Sequence, residues 1–348
     1  MLDIEGCLYV GPSDRATLER LVADGKTPQK IAKRASIVLL SGRGVGTNAI
    51  CREARVTKPT VWRWQKAYME GGVERLKAAV SICLGSRHPI VLWWGNPDYT
   101  QFYNDAYIPF LGSAKHPAFL GRSGRECWSE IWSTIGPMLD SVYATGEATW
   151  SEDLLLVMDR NLPREETYFT FSYSPIRDDD GSVGGIFCAC NETTGRVVGE
   201  RRLRTLRDLS RLETGAKSPE SACESATRTL AENPADIPFA LLYLLDGDGR
   251  TGRLLAKTAL ADDSPAAPPL IDLRDASTSL WPFQRALDEG SAELVRDLSV
   301  RFGALPGGPW PESSEAALVA PILSPGESGL TGVLVAGLSP RRMIDADY

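Results

Sequence analysis

Apolar positions change their spacing along the chain, and each change marks a different kind of element. Through the first eighty residues they recur at helical intervals between short breakers, giving helical stretches over residues 16–24, 28–40, 48–54 and 59–70, with a glycine-rich joint, SGRGVG, before the third. The last two stretches have helix-turn-helix spacing. Ile50, Ala54 and Val56 lie on the first helix and turn, and Val61, Trp64 and Tyr68 follow at i, i+3 and i+7 on the second, so these six form the expected shared core. With them inward, Lys58, Thr60, Trp62, Arg63 and Lys66 point outward, an arrangement suited to a helix lying in the major groove of DNA. Thr47 and Thr57 stand at the expected N-caps, and Pro59 falls in a first turn, where a missing N–H does no harm.

From residue 82 to 194 the spacing shortens to two. Strands are predicted over residues 89–95, 99–104, 149–159, 166–176 and 183–193, with short helices and one longer helix between the second and third, an α+β order. Alternation is clearest where Tyr168, Thr170 and Ser172 interleave with Phe169, Phe171 and Tyr173. RDDDGS then makes a hairpin turn whose three aspartates face solvent, because an acidic metal site needs converging oxygens. Over residues 195–211, Val198, Leu203, Leu206 and Leu209 form a narrow stripe on a charged helix. Such a stripe fits either a coiled-coil seam shared by two copies or an amphipathic helix packed on its own domain. Beyond KSPES the pattern predicts a helix over 221–232, a hairpin turning at 246–250, a helix over 280–289, and strands in ELVRDL, AALVAPIL and GLTGVLVAGLS.

Length and charge sharpen this picture. A chain of 348 residues, 43% hydrophobic and 24% charged, holds two or three ordinary domains. The net charge of −7 divides unevenly: residues 14–77 carry +8, from 14 Lys or Arg against 6 Asp or Glu, and the remainder carries −15. A basic block on an acidic protein points to an anionic polymer as its partner, or else to a solvated surface. No apolar run approaches the ~20 residues of a membrane span, and the acidic N-terminus lacks a signal-peptide core, so the expected location is the cytoplasm, with no membrane partner. Seven cysteines without CxxC spacing fit neither a disulfide framework nor a zinc site; Cys188 and Cys190 share one strand face and read as core. SGRGVGTN lacks a GK[ST] and follows a helix, so it reads as a joint between helices rather than a phosphate loop.

Three stretches carry family resemblances. TNAICREARVTKPTVWRWQKAYMEGGVERLK resembles the N-terminal helix-turn-helix of mariner-like and related insertion-sequence transposases, which implies DNA binding by the second helix of the pair. The chain departs from that pattern in two ways. Arg55 stands at the turn, where a left-handed glycine is usual, at a cost of about 1 kcal/mol. No acidic nuclease domain follows, so the alternative is a helical remnant that folds without an operator.

HPIVLWWG, QFYNDAYIPFLG, GRSGRECWSEIW, ATWSEDLLLVMDRN and EETYFTFSYSPIRDDDGSVGGIFCACNET together resemble a PAS domain of the kind found ahead of bacterial sensor kinases. That resemblance implies a five-stranded antiparallel sheet with helices across one face, a small ligand cavity and dimerisation. GRECW (residues 124–128) stands where a flavin photosensor would carry its asparagine-cysteine-arginine core, and the only two histidines, His88 and His116, each precede proline, which argues against a haem ligand. Trp93, Trp94, Trp128, Trp132 and Trp150 read as core. The candidate pocket for a small planar ligand is Trp94, Phe102, Trp128, Trp132 and Phe171, and no cofactor is identified. PFALLYLLDGDG, WPFQRALDEG and ALVAPILSPGESGLTGVLVAGLSPRR resemble a GAF domain, implying an α/β sandwich; RRMIDADY stands where that family begins a closing helix, so the C-terminus reads as incomplete.

The expected organisation is an N-terminal tail (1–13), a helix-turn-helix domain (14–78), a PAS domain (82–194), a signalling helix (195–213) and a GAF domain (214–348). The expected function is non-enzymatic sensing by a homodimer that binds DNA through residues 14–78 and a small-molecule signal in the PAS or GAF cavity. Two alternatives stand beside it: the sensory part of a histidine kinase with the kinase lost or on a separate chain, and a transposase-derived DNA-binding fragment. Autophosphorylation needs an accepting histidine on a dimerisation helix and an ATP-binding domain, and transposition needs an acidic catalytic set; none is read in the chain.

Overall fold

A computed structural model of the chain describes residues 8–25, 29–177, 181–214, 218–247, 249–273, 280–323 and 330–344. It divides into two units, residues 1–193 and 194–348.

The first unit opens with four helices: α1 (Pro12–Ala23), α2 (Gln29–Gly42), α3 (Thr47–Ala54) and α4 (Lys58–Gly85). Ile37, Leu40, Ile50, Ala54 and Val61 make their buried core, with Val56 and Trp64 packed at its edge. Tyr68 turns to a second cluster, where Leu8, Val10 and Val38 are buried and the Tyr68 hydroxyl donates to Asp14. The expected tail thus contributes core from Leu8 onward, because two apolar side chains spaced by two find a gap left by α2 and α4. One capping expectation changes: Gly46, not Thr47, caps α3. Thr57 caps α4 as expected, its hydroxyl 3.1 Å from that of Thr60 rather than on a helix amide.

The larger departure is α4. Expected to end near residue 70, it runs 28 residues to Gly85 and reaches the sheet of the next domain. Gly71 and Gly72 weaken a helix by roughly 1 kcal/mol each, but good helix formers and the packing of Ala79, Val80 and Cys83 carry it on.

The sheet has the order β2-β1-β5-β4-β3, all antiparallel, from β1 (Ile90–Trp94), β2 (Thr100–Tyr103), β3 (Thr149–Met158), β4 (Glu165–Arg177) and β5 (Val183–Glu192). Between β2 and β3 lie α5 (Ile108–Lys115), α6 (Gly124–Cys127) and α7 (Trp132–Thr145). Period-two geometry gives this sheet two faces, one buried throughout and the other covered around β1, β2 and β5. Val91, Trp93, Tyr103, Phe171, Tyr173, Cys188 and Cys190 belong to the core shared with α5–α7. Ile90, Leu92, Phe102, Phe187 and Ala189 lie on the other face, beneath the end of α4. Asn104 closes that junction. Its buried amide nitrogen stands 3.1, 3.0 and 2.8 Å from the carbonyl oxygens of Cys83, Ser86 and His88, and its Oδ1 accepts the Ile90 N–H at 3.1 Å. β4 and β5 form the expected hairpin, but residues 178–180, the three aspartates of its turn, lie outside the described residues.

The second unit begins with α8 (Thr194–Ser210) and α9 (Pro219–Ala231). Its six-stranded antiparallel sheet comprises β6 (Ala240–Leu245), β7 (Thr251–Thr258), β8 (Leu270–Asp272), β9 (Glu293–Arg296), β10 (Ala316–Leu323) and β11 (Leu330–Gly337), in the order β8-β7-β6-β11-β10-β9. α10 (Phe283–Glu289) and α11 (Leu298–Phe302) complete it. Tyr243 meets Phe283 at 5.2 Å between ring centres, and Trp281 stacks on Phe302 at 4.5 Å. β8 and α11 are too short for periodicity to reveal. On α8, Arg201 forms two 2.8 Å bonds to the buried Asp236, Val198 is buried, and Leu203 and Leu206 are 67% and 62% exposed. The predicted stripe is therefore split, because Val198 and Leu203 are five residues apart and point in different directions.

Candidate functional site

Two places in the first unit bring chemistry-bearing side chains together: the helix-turn-helix surface and the interior of the five-stranded domain.

At the turn between α3 and α4, the amides of Arg55 and Val56 both donate to the Cys51 carbonyl, and Val56 tucks against the helical core. That closure forces Arg55 into the left-handed region, φ 51° and ψ 58°, as the missing glycine predicts. α4 then starts with Lys58 and Pro59 in its first turn. Val61 is fully buried and Trp64 packs inward beneath the Arg34 guanidinium, 4.0 Å from the ring centre. This orientation leaves Lys58 and Trp62 exposed and Thr60 half-buried. Arg63 and Lys66 are on the same helix, but their side chains lie outside the described residues.

Inside the five-stranded domain, a cavity of about 40 Å³ is lined by fourteen residues that include Trp93, Tyr107, Trp128, Phe171, Tyr173 and Cys188. That is room for a few water molecules, against roughly 300 Å³ or more for the pocket of a drug-sized ligand. Trp128 and Phe171 of the expected pocket line it. Trp94 and Phe102 do not, because adjacent strand residues point to opposite faces; Trp93 and Tyr103 hold the inward positions. Trp132 lies beside the cavity, edge-on to Trp93 at 6.5 Å and tilted against Tyr99 at 5.4 Å, and Trp150 is 68% exposed, so it is no part of the core.

Polar groups around this interior are tied to one another. Trp128 donates its ring N–H to Gln101 Oε1 at 3.1 Å, Lys115 stands 4.4 Å over the Trp128 ring, and Glu130 pairs with Lys115. The Trp93 ring N–H is the exception: it is buried and has no hydrogen-bond acceptor among the described residues. Burial pushes the Cys127 thiol up to about 11 and the Cys188 thiol well above its ordinary value, so both are protonated at neutral pH. His88 is exposed, and His116 lies with Nδ1 3.1 Å from the Tyr103 hydroxyl; neither lines the cavity. Arg160, which sequence reasoning passed over, pairs with Glu165 at 2.8 Å and Glu192 at 2.7 Å, joining the loop after β3 to the end of β5. No local signal in the sequence marks it, since its partner Glu192 comes near only once β5 is placed beside β4.

Comparison with known families assigns both parts of this unit. The model of homeodomain-like domains matches residues 28–77, and that of the PAS fold matches residues 94–198. The chain thus carries a homeodomain-like helix-turn-helix and a PAS-fold domain, followed by a six-stranded antiparallel sheet with helices. Among solved structures, the PAS domain of Bordetella pertussis BvgS is 21% identical over 38% of this chain and 97% of its own, with a TM-score of 0.30. The GAF domain from Acinetobacter phosphoenolpyruvate-protein phosphotransferase is 19% identical over 42% of this chain and 82% of its own, with a TM-score of 0.29. A sensory box sensor histidine kinase from Vibrio cholerae is 16% identical over 37% and 97%, with a TM-score of 0.25. No curated protein matches the chain. Among the described residues, no helix is long and apolar enough to cross a membrane.

Proposed function

We propose that this protein is a non-enzymatic cytoplasmic regulator that binds duplex DNA through its helix-turn-helix and adjusts that binding to the state of its PAS interior. One observation carries the reading. The helix that presents Lys58 and Trp62 outward is the helix whose last turns lie on the PAS sheet, clamped there by Asn104. A signal that shifts the sheet therefore moves the DNA-facing turn with no flexible joint between. The signal is a small apolar molecule: the cavity is apolar-walled and about 40 Å³, and the protonated thiols and the free Trp93 N–H offer it no charge. The working form is a homodimer in which the uncovered Leu203 and Leu206 of α8 meet their counterparts.

Because α4 crosses residue 78, deleting residues 1–78 would cut a helix that the PAS sheet packs against; surface substitution in the full chain is the cleaner test. Binding to random duplex DNA is measured by anisotropy from 50 to 200 mM salt, for the native chain and for Lys58→Ala/Arg63→Ala/Lys66→Ala. The native chain should weaken steeply with salt, and the triple variant should bind more weakly, with a slope shallower by about 0.9 for each phosphate that is no longer neutralised. Absence of native binding at 50 mM salt, or an unchanged slope in the variant, overturns the reading. Sedimentation of the same preparation reports the dimer, and a monomer at micromolar concentration removes that part.

A further inference from the structure

The turn of the helix-turn-helix has the backbone of a glycine and the side chain of an arginine. Arg55 holds φ 51°, a conformation that L side chains rarely adopt. The backbone closure needs nothing from its side chain, since the two amide bonds to Cys51 and the inward packing of Val56 complete it. The Arg55 side chain is exposed and makes no ion pair or hydrogen bond among the described residues. Arg52, three residues before it on α3, and Lys58, three residues after it at the start of α4, are exposed and unpaired in the same way. Glu53 is exposed between them and neutralises none of the three, whereas Arg43 is held by Glu19 at 3.2 Å. The turn's packing explains the left-handed backbone but not an arginine where glycine would be unstrained, so the reason for this side chain lies in what it touches.

We propose that Arg55 is a phosphate contact, the centre of a basic ridge with Arg52 and Lys58 that grips the sugar-phosphate backbone of duplex DNA beside the groove that α4 enters. The proposal rests on the DNA-binding reading and deepens it. The ridge supplies affinity without sequence preference, since phosphate contacts set register and carry no base information. A lysine would supply the charge but not the planar, two-pronged donor.

The test is Arg55→Gly in the full chain, with Arg55→Lys beside it. Glycine relieves the turn, so thermal unfolding of Arg55→Gly should rise by about 2–4 °C. Its affinity for random duplex DNA at 100 mM salt should fall about 3- to 10-fold, with a salt slope shallower by about 0.9. Arg55→Lys should keep the native slope. If the native chain binds DNA and Arg55→Gly binds with the same affinity and slope, the proposal fails while the DNA-binding reading stands. A native chain that binds no duplex DNA, or prefers single-stranded RNA, sinks both. A lower melting temperature for Arg55→Gly would make Arg55 a structural residue and end the proposal.

Discussion

Replacing Asn104 by aspartate tests the junction on which the coupling depends. The exchange changes the shape of the side chain hardly at all, but turns a donor facing three carbonyl oxygens into a carboxylate oxygen facing them. The bond from the Ile90 N–H to Oδ1 survives, and the bonds to the Cys83, Ser86 and His88 carbonyls do not. Each buried group left without a partner costs about 1–3 kcal/mol. The Cys83 carbonyl keeps the Ser86 N–H and the Ile90 N–H keeps its acceptor, so the loss falls on the introduced carboxylate, buried and facing carbonyl oxygens, and at neutral pH should be about 3 kcal/mol. The loss also has a pH signature. Among carbonyl oxygens and away from water, the introduced carboxyl favours its protonated form, so its folded pKa lies above the ~3.9 of an unfolded aspartate. A raised folded pKa means that the deficit is smallest below about pH 4 and grows as pH rises through the folded value, by at most about 1.4 kcal/mol per unit. Urea unfolding of the full chain at pH 5 and pH 8, with hydrogen exchange of the amides of residues 80–90, reads both parts. A deficit under ~0.5 kcal/mol, or one equal at the two pH values with exchange unchanged, would refute the account of the clamp.

Two further outcomes follow from the ion pairs. Arg160→Met removes the cation paired with Glu165, which is buried and keeps the Asn161 N–H, and should destabilise the PAS domain by about 3 kcal/mol in thermal unfolding; adding Glu165→Gln should recover part of that loss, and a double variant no better than the single one contradicts this. In the second unit, burial alone would raise the Asp236 carboxyl, but hydrogen bonds and charge from Arg201, with Asn233 and Arg202, hold it below its ordinary value. The stability this supplies is present above the unfolded pKa near 3.9 and is lost as pH falls through the lower folded value. Asp236→Asn should therefore cost about 1–3 kcal/mol at pH 7 and flatten the acid limb of the unit's stability curve, as measured by urea unfolding between pH 3 and 7.

What the sequence determined by itself was everything that depends on local spacing. The helix-turn-helix core follows from Ile50, Ala54 and Val61 at helical intervals, and the five PAS strands from alternation such as that of Phe169, Phe171 and Tyr173. The strained turn at Arg55 was legible too, because it depends on one residue and its backbone. Tertiary structure decided the rest. A two-residue period shows that Trp93 and Trp94 face opposite ways, but only the neighbouring layers say which of them sees the cavity; β1 carries apolar residues on both its faces, so hydrophobicity alone does not choose. The same holds for α4. Its two glycines read locally as an end, and the helix continues because Ala79, Val80 and Cys83 gain a sheet to pack against and Asn104 satisfies the carbonyl of Cys83 and those of Ser86 and His88 just beyond the helix. Asn104 reaches carbonyls 16 to 21 positions before it, and the free energy of these interactions comes from burial and hydrogen bonding that exist only after the chain has folded.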